Sequence, residues 1–95
     1  MDIIQEKPMT LHEVTQSICE KRVVAGAKQL RKALTSGTAE CVYLAVDADP
    51  AITEPVMELC RQYHVQMLWV RSMAELGRAC RIDVGAAAAA VLKSL

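Results

Sequence analysis

Apolar positions repeat at helical spacing in four stretches of the chain and run continuously, at strand length, in two others. Thr10 with Glu13 forms a capping-box pattern, and Leu11, Val14 and Ile18 then make one stripe, which predicts a first helix to about Cys19. Val23-Val24 predicts a short strand that turns at Gly26 into a second helix, with Ala27, Leu30 and Leu34 on its apolar face and Ser36-Gly37 as its stop. Cys41 to Val46 is an apolar run too short for an ordinary helix and typical of a strand buried on both faces. After Asp47-Ala48-Asp49-Pro50, a third helix carries Ile52, Val56, Leu59 and Tyr63 along one side. Pro55 belongs in a first turn, so this helix is expected to start near Thr53 as its cap, behind a separate turn at Pro50. Gln66 to Val70 is the next strand, and Ser72 with Glu75 caps a fourth helix buried along Met73, Leu76 and Cys80. Strand, helix and strand in this order imply a parallel pair with a crossover, hence an α/β fold. Residues 81–85 read as a loop whose Ile82 and Val84 have no obvious core partner. The tail of five alanines followed by Val91-Leu92 supports two readings: helix by propensity, or a strand that needs small side chains under a helical layer.

Candidate chemistry centres on the second helix. Gly26 lacks a β-carbon, the helix start behind it presents free backbone N–H groups, and Lys28, Arg31 and Lys32 fall together on its polar side. This layout suits an anion, although a basic face on an amphipathic helix is by itself most often only solvated.

The 95 residues suit one domain, with residues 1–9 as a loosely held leader and residues 10–95 as the folded unit. At 53% hydrophobic and 23% charged the chain is outside the disordered class. Its formal net charge of zero hides segregation: Lys21, Arg22, Lys28, Arg31 and Lys32 precede an acidic stretch from Glu40 to Glu58, and Arg71, Arg78 and Arg81 form a later basic cluster. The four cysteines lack any C-x-x-C pair, which argues against a zinc framework; Cys60 and His64 share a helix face at i and i+4 but are better read as a buried thiol beside a surface histidine. Free buried thiols, no signal-peptide pattern and no long apolar run lead to the expectation of a soluble cytoplasmic protein.

Three segments together resemble the kink-turn RNA-binding family of ribosomal proteins, the group of the seven-A-e and thirty-e ribosomal proteins and their small bacterial relatives. They are Val24 to Leu34, the Asp47 to Pro50 turn, and Leu76 to Ala87. The resemblance runs from about Met9 to Leu92. It implies a three-layer α/β/α sandwich around a mixed four-stranded sheet, with the alanine tail as the last strand. It also implies a partner: structured RNA, ribosomal or regulatory, bent so as to expose tandem sheared G·A pairs and to extrude a loop nucleotide. Gly26 then corresponds to the close approach of RNA, Lys28 and Gln29 to the readers of guanine edges, and Lys32 to a supporting base. Ile82, Asp83 and Val84 match the loop against the extruded nucleotide, and Arg31, on the same basic face, is expected to add charge to the RNA contact. A lysine donates to guanine O6 and N7 and a glutamine amide both donates and accepts, so these residue types fit those tasks. Archaeal relatives have asparagine and glutamate where this chain has Lys28 and Gln29, and relatives commonly have glycine where it has Arg81, which adds a cation near the phosphates. The absence of an extra C-terminal helix points to a compact bacterial-type member.

Other function classes fit less well. Asp47 and Asp49 follow a strand end, a common place for catalysis in α/β sheets, but lack a histidine, nucleophile or glycine-rich loop; a turn and capping role for Asp49 and a strand-terminating role for Asp47 serve better. The acidic face from Glu40 to Glu58 is a candidate protein-docking surface within a ribonucleoprotein. The expectation is therefore a non-catalytic, monomeric RNA binder with no cofactor, no metal, no DNA partner and no membrane partner.

Overall fold

A computed structural model of the chain describes Gln5 and residues 7–94. Eight elements follow one another: α1 (Leu11–Ser17), β1 (Val23–Ala25), α2 (Ala27–Thr35), β2 (Ala39–Ala45), α3 (Pro50–Gln62), β3 (Gln66–Val70), α4 (Met73–Ala79) and β4 (Ala88–Leu92). The strands form one mixed sheet in the order β1-β4-β2-β3. β2 and β3 are parallel, Val42 opposite Met67, as the strand-helix-strand order requires. β4 lies antiparallel to both β1 and β2, with Val24 opposite Ala90 and Tyr43 opposite Ala89.

Alternation along the central strands sends side chains to two cores. Val42, Leu44, Ala88 and Ala90 pack under Leu30, Ala33 and Leu34 of α2 and Val56 and Cys60 of α3. Tyr43, Ala45, Ala89 and Val91 pack under Val14 and Ile18 of the α1 segment and Leu76 and Ala79 of α4. The result is an α/β/α sandwich. The alanine tail is a strand because both of its faces are covered: Ala88, Ala89 and Ala90 are buried on alternate sides, and side chains this small let two helical layers close on the sheet. The hydroxyls of Tyr43 and Ser17 hydrogen-bond each other, so this large ring is buried without orphaning its polar end.

The third helix departs from expectation. It starts at Pro50 rather than behind a cap at Thr53: Asp49 is the N-cap, its carboxylate accepting from the Ala51 N–H at 2.9 Å. Pro55 lies inside the helix, where it leaves the Ala51 carbonyl without its usual donor, at a position where both residues are exposed to solvent. The buried stripe is Thr53, Val56 and Cys60, and Ile52 and Tyr63 are instead 45% and 40% exposed. His64 lies beyond the helix with φ of 56°, so the i,i+4 pairing with the fully buried Cys60 does not form. Burial pushes the Cys60 thiol up to about 11. Two further expectations fail at the surface: Val46 is outside β2 and exposed, and Cys19 is exposed rather than buried.

Residues 1–4 and 6 of the expected leader lie outside the described residues. Met9 pairs in parallel with Val70, its N–H donating to the Trp69 carbonyl at 2.8 Å and its carbonyl accepting from Arg71 N–H at 2.9 Å. The Gln5 amide also bonds both peptide groups of Trp69, so the outer edge of β3 is covered by the segment expected to be loose.

Candidate functional site

The start of α2, the start of α3 and the loop between α4 and β4 converge at one end of the sheet. Gly26 is the N-cap of α2 with φ of 101° and ψ of 137°, backbone open to glycine and strained for other residues. A β-carbon there meets nothing within 4 Å, so the space over the helix start is open. Among the described residues no side chain caps the first N–H groups of α2.

The loop is placed by close packing. Gly77 of α4 lies directly against it: a β-carbon at Gly77 falls 2.1 Å from the Val84 carbonyl oxygen. The Ile82 N–H donates to the Gly77 carbonyl at 3.1 Å, the Arg81 N–H to that of Arg78 at 3.1 Å, and the Ala86 N–H to that of Met73 at 3.0 Å. The first two bonds are a Schellman closure of α4, with Arg81 at φ of 62° in the position glycine usually fills. The opposite end of α4 is held equally firmly. Asp47 accepts from the Met73 N–H at 2.7 Å, and Ser72 Oγ accepts from the Glu75 N–H at 3.1 Å. The Ser72 box is only half formed, because the Glu75 carboxylate turns to the Leu11 N–H at 3.1 Å and to a bidentate Arg71 at 2.7 and 3.0 Å. The Arg71 guanidinium, helped by the Ser72 hydroxyl, holds that carboxyl down to about 2.

Between these elements lies a groove of about 420 Å³, lined at α2 by Gly26 and Gln29, at the loop by Ile82, Val84 and Gly85, and along the sheet by Val23 to Ala25 of β1 and the alanines leading into β4. Of the expected site residues, Gly26, Gln29, Ile82 and Val84 are thus brought together. Lys28, Arg31 and Lys32 stand exposed on α2 outside the lining, and among the described residues no carboxylate pairs with them. Arg81 and Asp83 are exposed on the same loop, also outside the lining. Ile52, read from sequence as part of the helix stripe, lines the groove as well. The signal for it was Asp49-Pro50, a cap followed by an N1 proline, which moves the cap of α3 four residues earlier, from Thr53 to Asp49, and brings Ile52 inside the helix.

The rival sites fare differently. Asp47 and Asp49 both spend a carboxylate oxygen on a backbone N–H, as structural caps of α4 and α3. The acidic face is interrupted, since Glu40 pairs with Lys21 at 3.5 Å and Glu58 with Arg61 at 3.6 Å. Among the described residues no group of three His, Cys, Asp or Glu is placed to hold a metal, and no helix is long and apolar enough to cross a membrane.

Fold and site define an α/β/α sandwich protein with a basic helix start and an aliphatic loop on either side of one groove. The chain belongs to the Ribosomal protein L7Ae/L30e/S12e/Gadd45 family, whose model matches residues 9–94. It is similar to an RNA-binding protein of Geobacillus sp. (strain WCH70), 46% identical over 72 residues that cover 76% of this chain and 88% of that one. An RNA-binding protein of Bacillus pumilus (strain SAFR-032) is 40% identical over 84 residues, 88% of this chain and 99% of its own. Among solved structures, a 15.5 kD RNA-binding protein of Giardia lamblia superposes with a TM-score of 0.76 at 30% identity, over 88% of this chain and 71% of that one.

Proposed function

We propose that this protein is a non-catalytic RNA-binding protein, ribosomal or ribosome-associated, that recognises kink-turn RNA through its tandem sheared G·A pairs. The observation that carries the reading is the convergence of the open, uncapped α2 start and the Ile82–Val84 loop on one groove. Similarity to proteins named as RNA binders supports the partner class. In this reading the RNA backbone passes over Gly26, where no side chain obstructs it. Lys28 and Gln29 meet the guanine edges, Lys32 and Arg31 supply charge to that contact and to phosphates, and Arg81 adds a cation from the loop. Asp83 lies between Ile82 and Val84, whose aliphatic surfaces face the extruded nucleotide. The RNA is read by shape and splayed bases, because the deep groove of an A-form helix excludes side chains.

The test is binding to a kink-turn RNA and to the same RNA with its G·A pairs replaced by Watson–Crick pairs, titrated across salt. Tight binding to the first alone is expected. Equal binding to both with a steep salt slope reduces the protein to a phosphate binder, and binding to neither removes the RNA reading.

A further inference from the structure

We infer that Arg22 and Lys93, at the end of the sheet away from the groove, hold phosphates of the RNA stem that continues from the G·A pairs, so that the RNA contact runs past the far end of α2. The inference rests on the function proposed above and adds to it a second contact surface and the part of the RNA that meets it. β1 is an edge strand with β4 as its neighbour. Both β1 and β2 are antiparallel to β4, hence parallel to each other, and α2 is the crossover between them. The last turn of α2, which carries Lys32, therefore returns to the end of the sheet where β1 begins at Arg22. Backbone hydrogen bonds fix this rim: the Leu92 N–H donates to the Arg22 carbonyl at 2.9 Å, and the Lys93 N–H to that of Thr38 at 2.8 Å.

The rim is cationic on balance. Lys21, Arg22, Lys32 and Lys93 are exposed there, against the carboxylates of Glu20 and Glu40. Glu40 is occupied by Lys21 at 3.5 Å, and among the described residues no carboxylate pairs with Arg22, Lys32 or Lys93. A lone basic face is most often only solvated, but this one is continuous with the proposed site. Over its nine residues, a length of about 13 Å, α2 carries Lys28, Arg31 and Lys32 and no acid, and Arg22 and Lys93 extend that row beyond its end. A row of cations that starts at the proposed guanine readers and continues for this distance matches a polyanion with regularly spaced charges. The three aromatic residues lie elsewhere: Tyr43 is buried, Tyr63 follows α3, and Trp69 is on β3 at the opposite edge of the sheet. Unpaired bases thus find no stacking platform at the rim, whereas a duplex presents phosphates and needs none. The contact positions the stem and carries no sequence information, which separates it from reading by Lys28 and Gln29.

The experiment compares wild type, the double variant Arg22→Ala with Lys93→Ala, and the charge-keeping double variant Arg22→Lys with Lys93→Arg. Each is titrated across salt with kink-turn RNA whose stem beyond the G·A pairs is either short or longer by half a helical turn, and thermal unfolding is recorded for each protein. Wild type is expected to bind the long-stem RNA about tenfold more tightly than the short. The alanine variant should lose that gain and lower the salt slope on the long-stem RNA by about two, one for each phosphate contact, while binding the short-stem RNA as wild type does. The charge-keeping variant should retain the gain. A wild type indifferent to stem length, an alanine variant that keeps the full gain, or one that loses equally on both RNAs overturns the rim contact. The proposed function still stands in those cases if wild type distinguishes the short-stem RNA from its Watson–Crick counterpart. A wild type that does not make this distinction overturns the proposed function itself and this inference with it.

Discussion

Replacing Gly77 by alanine tests how the loop is held, because the structure sets the size of the disturbance. The added β-carbon sits 2.1 Å from the Val84 carbonyl oxygen and 3.0 Å from the Gly85 α-carbon, and both neighbours are backbone, so no side chain can swing away. Restoring an ordinary contact requires the loop to retreat by about 1 Å, a distance at which tightly packed atoms lose much of their attraction. That retreat stretches the Ile82 to Gly77 and Ala86 to Met73 hydrogen bonds, now 3.1 and 3.0 Å. Overpacking of this kind costs about 1–3 kcal/mol, and each weakened bond adds up to about 1 kcal/mol. A loss of about 2–3 kcal/mol lowers Tm by roughly 10–20 °C in a chain of this length. The same retreat carries Ile82 and Val84 away from Ile52, so affinity for kink-turn RNA should fall several-fold even well below Tm, with the salt slope unchanged because no cation has moved. Gly37→Ala is the control: Gly37 has φ of 75° but a β-carbon there meets nothing within 4 Å, so it should cost about 1 kcal/mol of stability and no RNA affinity. Thermal unfolding and fluorescence-anisotropy titration measure both quantities. A Gly77→Ala protein with unchanged Tm and unchanged affinity would refute the loop-packing argument.

Lys28→Ala should cost about 1–3 kcal/mol of binding and relax the preference for kinked over straight RNA, whereas Arg31→Ala should weaken both RNAs alike and flatten the salt dependence; titrations at several salt concentrations separate the two. Arg81→Gly relieves a left-handed backbone at φ of 62° and should leave the protein as stable or up to about 1 kcal/mol more stable by urea unfolding, while lowering the salt slope of RNA binding by about one phosphate contact. Destabilisation by Arg81→Gly would count against the strain argument, and an unchanged slope against the contact. Glu75 has its carboxyl held at about 2 against 4.5, so its ionised form stabilises the fold fully above about pH 4.5, and that contribution is lost as pH falls toward 2. Glu75→Gln should therefore trail wild type in urea midpoint at neutral pH, with the gap closing between about pH 4.5 and pH 2; a gap that persists at the acid end would assign the effect to packing instead.

What the sequence disclosed depended on whether a residue acts alone or through what lies near it. The caps Thr10 and Ser72, the stop at Gly37 and the alternation of Val42, Tyr43, Leu44 and Ala45 are set within a few residues and were legible. The alanine tail was not decided by its own residues, because helix propensity favours one answer and burial between two helical layers the other; the resemblance chose the strand that packing requires. Pro55 misled because its cost depends on whether the orphaned carbonyl is buried, and here Ala51 and Pro55 both lie on the exposed side of the helix. That error misplaced the start of α3, while the apolar spacing of Ile52, Val56, Leu59 and Tyr63 separately assigned the exposed Ile52 and Tyr63 to a core stripe.

The candidate site shows the same division. Lys28, Arg31 and Lys32 are recognisable from spacing because a charge on a helix face needs no partner to be a charge. The groove beside them is made by what is missing. Gly26 leaves the helix start uncovered, Ala86 to Ala88 keep the floor low, and Gly77 lets a loop lie against α4, bringing Ile82 and Val84 across from Ile52. Small residues carry little signal individually, and their effect exists only once three segments distant in sequence have met. A single added methyl at Gly77 tests that assembly more directly than removal of any cation, since it alters the shape of the groove and leaves its charge intact.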